Sequence, residues 1–106
     1  MERLKKYTDI HLLFSRGNKV QCFGAKLLFR TNKREYNRIT VSFSRKFGNA
    51  VARNRARRLG REAYRFLRNR LSTGFDMIIV LYPSNDTLKA RLEQLNSLFK
   101  KAGLYV

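Results

Sequence analysis

An α+β fold, with helices laid on a sheet, follows from three features of the sequence. Arg38 to Ser44 alternates: Ile39, Val41 and Phe43 point to one side, Thr40, Ser42 and Ser44 to the other. Phase repeats with helical spacing from Ala50 to about Leu71. Phe75 to Tyr82 then holds the longest apolar run, Met77 to Tyr82, and reads as a strand buried on both faces. A buried strand after a long helix implies a strand-helix-strand crossover onto one sheet, with helices covering one of its faces. The Thr40, Ser42, Ser44 face stays polar and partly open, a candidate floor for a ligand.

The remaining elements follow in order. Thr8 or Asp9 is placed to cap a short first helix, whose Ile10, Leu13 and Phe14 share a face and which Gly17 ends. Lys19 to Arg30 is apolar-rich and broken by Gly24, so it forms two strands or one bulged strand. Residues 31–37 make a polar turn before the alternating strand. Gly48-Asn49 breaks the chain ahead of the long helix, and Ser72-Thr73-Gly74 closes it. Pro83 to Thr87 supplies a turn and a cap. The last helix stacks Leu88, Leu92, Leu95, Leu98, Phe99 and Ala102 on one face before Gly103. No repeat, linker or change of composition divides the chain, and its 106 residues suit a single domain, 1–106, with one modest core.

Charge narrows the function. Against 7 acidic residues stand 24 basic ones, a net +17, while an apolar fraction of 43% argues for a folded chain. Such a field favours nucleic acid or an anionic membrane. No apolar run approaches the ~18 residues that span a bilayer. The first residues lack the apolar core of a secretory signal, so no membrane partner is expected and the cytoplasm is the default location. Cys22 is the only cysteine, so it forms no internal disulfide and reads as a small, half-buried hydrophobe.

The basic residues concentrate in the long helix. At about 100° per residue, one side collects Ala52, Ala56, Leu59, Ala63, Phe66 and Leu67. The other collects Asn54, Arg57, Arg58, Arg61, Arg65 and Arg68, flanked by Arg53 and Arg55. Arginine keeps its proton, so these charges must meet water or anions, and their mutual repulsion is relieved by a polyanion. Guanidinium forks match phosphate and stack on bases. Asn54 can bond phosphate, ribose or a base edge, or make a local backbone bond near the helix start.

Independent catalysis by the protein is not indicated. Its acidic residues are scattered singly, whereas metal-dependent nucleases gather carboxylates around metal ions. His11 is the only histidine, too few for a His-His acid-base pair or an ordinary zinc site. No phosphate-binding glycine motif of the nucleotide-triphosphatase kind occurs. A DNA-reading role is also disfavoured, because the long helix lies between strands without the short helix and turn of a helix-turn-helix.

The run Lys46-Phe47-Gly48-Asn49-Ala50-Val51-Ala52-Arg53-Asn54-Arg55-Ala56-Arg57-Arg58-Leu59-Gly60-Arg61-Glu62 resembles the signature of the bacterial ribonuclease P protein subunit, with Arg53-Asn54-Arg55 at its centre. The similarity extends to Arg3-Leu4-Lys5-Lys6, Asp9 to Gly17, Val41 to Ser44 and Leu104-Tyr105. The resemblance implies a helix-strand-strand-strand-helix-strand-helix, two-layer sandwich with a four-stranded sheet and a left-handed crossover carrying the motif. It also implies a protein subunit that binds the RNase P catalytic RNA and the single-stranded 5′ leader of precursor tRNA. The large RNA then performs the cleavage, with the magnesium that RNA requires, and the protein needs no cofactor or catalytic residue of its own.

Carried onto this chain, the motif makes Arg53, Asn54, Arg55, Arg58 and Arg61 RNA-contact positions, with Lys46 the basic residue ahead of the glycine. Arg57, Arg65 and Arg68 continue the same face. The leader cleft, between the first helix and the sheet, would include Phe14, Ser42 and Tyr105. Two positions depart from the family pattern: Ile10 stands where an aromatic is common, and Leu28 near another, with Phe29 as the neighbouring substitute. The alternative on charge and size is a basic ribosomal protein that binds ribosomal RNA.

Overall fold

The computed structural model describes residues 2–106. In chain order it contains β1 (Glu2–Arg3), α1 (Tyr7–Arg16), β2 (Asn18–Cys22), β3 (Ala25–Thr31), β4 (Arg38–Phe43), α2 (Ala50–Leu67), β5 (Phe75–Leu81) and α3 (Leu88–Ala102). A single 3-10 turn, Arg68–Arg70, prolongs α2. The sheet has five strands in the order β1-β4-β5-β3-β2. β3 pairs antiparallel with both β2 and β5, whereas β4 pairs parallel with β5 and β1. The α2 crossover therefore joins neighbouring parallel strands at the centre of the sheet.

The α+β class stands, with five strands where four were expected. The extra one is β1, two residues long and without a periodic signal. It is held by its neighbour Leu4, which is 2% exposed and donates its N–H to the Ile39 carbonyl at 2.9 Å. The Lys19 to Arg30 segment resolves as a hairpin. Its turn needs Gly24, whose φ is +87° and where an added Cβ would come within 2.5 Å of Gln94 Nε2.

Alternation along β5 divides the core. Met77, Ile79 and Leu81 pack with α2 and α3, while Ile78 and Val80 join Leu4, Leu13 and Leu28 beneath α1. Thus α2 and α3 cover one face, and α1 covers part of the other. On α3, Leu95, Leu98 and Phe99 are buried as the pattern requires. Arg91 is buried beside them, contrary to any reading of charge alone.

Two local expectations change. Neither Thr8 nor Asp9 caps α1; its N-cap is Lys6, with no side-chain bond, and Asp9 turns instead to Arg38. The buried side of α2 is Ala56, Gly60, Ala63, Tyr64 and Leu67, while Phe66 is 64% exposed. The small residues let α2 lie close on the sheet: a Cβ on Gly60 would already sit 3.5 Å from Leu81 Cδ1. Phe66 lies about 100° from the middle of that arc, far enough to reach solvent.

Candidate nucleic-acid interface

Docking of its small-residue side points the arginine side of α2 outward. Asn49 starts the helix by accepting the Ala52 N–H at 2.9 Å. Arg53, Asn54, Arg55, Arg58, Arg65 and Arg68 are exposed, Arg57 and Arg61 half-buried. Asn54, Arg57, Arg58, Arg61, Glu62 and Arg65 line a shallow depression of about 600 Å³. Lys46 is exposed in the loop leading into the helix.

Several of these groups are already oriented. Arg53 Nη1 donates to the Gly48 carbonyl at 2.6 Å, and Arg57 Nη1 donates to Asn54 Oδ1 at 3.1 Å. The Asn54 side chain thus meets a guanidinium; the local backbone bond at the helix start belongs to Asn49. Arg57 also lies over the Phe43 ring, 5.0 Å from its centroid. Partial burial, and then the nearby Arg3 and Arg57 charges, lower the pKa of Arg61 from its ordinary value. An anion placed there would relieve that repulsion.

The second candidate surface lies beside α1. Register places Thr40 next to Ile78 and Ser42 next to Val80, so both polar side chains share the α1 face. Ile10 packs half-buried against the cluster containing Val80, and Phe14 is 43% exposed on the same helix. Ile10, Phe14 and Ser42 therefore belong to one side of the sheet.

Phe29 and Tyr105 do not join them. Strand alternation sends Leu28 to the α1 side and Phe29 to the other, where its ring lies 6.3 Å from that of Phe75. A neighbour along a strand cannot replace a side chain on the opposite face. Tyr105 packs edge-on against Phe99 at 6.0 Å, donates to Asn96 Oδ1 at 2.6 Å and carries Arg70 4.9 Å over its ring. Both belong to the α2 and α3 side.

Tyr82, which the sequence reading left out, packs half-buried on the same cluster as Ile10. Its signal was present: Ile78, Val80 and Tyr82 continue one parity past the end of β5. On the other flank of α1, a cavity of about 360 Å³ is lined by Lys6, Arg30, Lys33 and Arg34, among others. Arg38 anchors that flank, bonding Asp76 at 2.6 Å and Asp9 of α1 at 3.3 Å. Asp76 carries most of the compensation for the half-buried guanidinium, whose pKa is raised mainly by that hydrogen bond. Among the described residues, no three His, Cys, Asp or Glu side chains are grouped to hold a metal ion, and no helix is long and apolar enough to cross a membrane.

Comparison with known proteins fits this geometry. A family model described as Ribonuclease P matches residues 1–103. The ribonuclease P protein component of Clostridium kluyveri is 32% identical over 108 aligned positions, covering 97% of this chain and 96% of that protein. The Thermotoga maritima component is 35% identical over 79 residues, covering 74% of this chain and 68% of the relative. The solved Staphylococcus aureus RNase P protein superposes with a TM-score of 0.87 at 25% identity, over 100% of this chain and 99% of that one. The Thermotoga maritima structure gives 0.84 at 30% identity, over 95% and 97%. Matched from end to end in sequence and in fold, the chain belongs to the ribonuclease P protein family.

Proposed function

We propose that this chain binds the catalytic RNA of ribonuclease P through the arginine face of α2 and the single-stranded 5′ leader of precursor tRNA in the cleft beside α1. The holoenzyme removes the leader; the RNA, with its magnesium, breaks the bond, and the protein assembles and steers. Family membership already makes the chain the protein component of a tRNA-processing ribonucleoprotein nuclease. The observation that carries the finer reading is the exposed arginine row on α2, held rigid by a helix whose other side is buried in the core.

Electrostatics explains why such a subunit helps. Catalytic RNA and precursor tRNA are both polyanions, so their approach is opposed until phosphates are neutralised. Each phosphate contact releases counterions and contributes about −0.7 to −0.9 to the slope of log affinity against log salt. Ile10, Phe14, Ser42 and Tyr82 add a mixed apolar and polar cleft suited to unpaired nucleotides, for which stacking on an aromatic contributes about 1–3 kcal/mol per base. Precursor gains from that cleft and mature tRNA does not, which favours release of product.

Reconstitution with a bacterial catalytic RNA and radiolabelled precursor tRNA at low magnesium tests the reading. Protein should restore cleavage and tighten binding of precursor much more than of mature tRNA. Equal tightening of both would sink the leader assignment. Arg53, Asn54 and Arg55 changed together to alanine should sharply reduce assembly or activity while the isolated protein stays folded.

A further inference from the structure

Arg91 is an arginine at 0% exposure in α3, and the RNA-facing row of α2 gives no reason for it. A charge so far from water persists only when its donors are met. Here Nε donates to Asp86 Oδ1 at 3.2 Å, Nη1 to Gln94 Oε1 at 2.9 Å and to the Gly24 carbonyl at 3.2 Å, and Nη2 to the Tyr82 carbonyl at 3.3 Å. One guanidinium thus ties together the β2–β3 turn, the exit from β5 and the first turns of α3.

From this node a packed path leads to the arginine row. The Arg91 guanidinium carbon lies 6.0 Å from the centroid of the Phe47 ring. Phe47 packs against Phe43, with centroids 5.0 Å apart and planes inclined at 58°. Arg57 then lies over Phe43 at 5.0 Å. Two rings, tilted against each other, lie between one buried cation and one outward-facing cation. A second link runs through Asp86, whose Oδ2 is 3.9 Å from Arg55 Nε, but Arg55 is largely exposed and that pair contributes little.

We propose that Arg91 is a positioning residue for RNA binding: through Phe47 and Phe43 it fixes the orientation in which Arg57 is offered to RNA phosphate. Arginine is rich in rotamers, and holding one beforehand removes an ordering cost at the moment of binding. The inference rests on α2 being the surface that grips RNA.

The test measures the salt dependence of binding to the catalytic RNA for the wild type, R57Q, F43L, R91M and the F43L/R57Q double variant, with thermal unfolding followed in parallel. R57Q should make the slope shallower by about 0.7–0.9, the loss of one phosphate contact. F43L and R91M should each lose a measurable part of the same increment, and the double variant should be no shallower than R57Q alone. F43Y, which keeps the ring, should restore the wild-type slope. Lower melting temperatures with wild-type slopes in F43L and R91M overturn positioning while leaving the RNA surface intact. A wild-type slope in R57Q removes Arg57 from that surface, and this proposal with it. If R91M does not fold, F43L and F43Y decide the matter, because leucine keeps most of the apolar volume at a half-buried site.

Discussion

Replacing Arg58 and Arg65 together by alanine isolates the electrostatic grip from the fold. Both side chains are exposed on α2 and neither hydrogen-bonds or ion-pairs with another described residue. Stability should therefore hold or rise slightly, since neighbouring like charges on a helix repel by a few tenths of a kcal/mol per close pair. If each guanidinium meets one phosphate, their joint loss makes the salt slope shallower by about 1.4–1.8. Over a fourfold rise in salt, from about 50 to 200 mM, the wild type should lose about 7- to 12-fold more affinity than the variant does. Fluorescence anisotropy of labelled catalytic RNA, titrated across that range, reads the slope directly. A variant with the wild-type slope and unchanged affinity would refute the assignment of this row to phosphate, however basic the chain.

Asn49→Ala removes the cap of the motif helix and should cost about 0.5–2 kcal/mol in urea unfolding, with fraying in the first turn. Burial raises the Cys22 thiol pKa more than the Lys101 ammonium lowers it, so alkylation at mildly alkaline pH should be slower in the native protein than in urea. The linkage has a definite sign. The unfolded thiol ionises first, so this contribution to stability is complete below the unfolded pKa and is lost as pH rises through the folded value.

Much of the architecture was legible because its signals are periodic. The Ile39, Val41, Phe43 alternation and the unbroken apolar run of β5 report burial directly, and Gly24 marks a turn that a Cβ would obstruct. What escaped depended on angle or on distant partners. Phe66 leaves the buried side of α2 and Tyr64 joins it because periodicity defines an apolar arc only to within a residue or so on each side. Glu2–Arg3 pairs because of the burial of Leu4, not because of anything in those two residues.

The candidate site divides in the same way. The outward arginine row follows from helical phase, since no fold buries so many guanidiniums without partners. The cleft was harder to place. Phe29 and Tyr105 are near the expected positions in sequence but on the far side of the sheet, and Tyr82 was passed over as the end of a buried strand. Arg91 is the opposite case: a charged residue in an amphipathic helix whose partners come from residues 24, 82 and 86, invisible to any local pattern. Composition left a ribosomal role open, and the spacing of the motif favoured ribonuclease P.

The placement of α2 between the adjacent parallel strands β4 and β5 has a mechanical consequence. A helix mounted at the rim could peel away under tension while the remainder stayed intact. This one is tethered at both ends to paired strands inside the sheet, so dislodging it means parting the β4–β5 ladder. Amide protons from Ala56 to Leu67 should accordingly exchange with solvent only through whole-domain opening, at the same rate as those of β5. Tugging by a large, moving ribonucleoprotein is thereby met by the cooperativity of the entire domain.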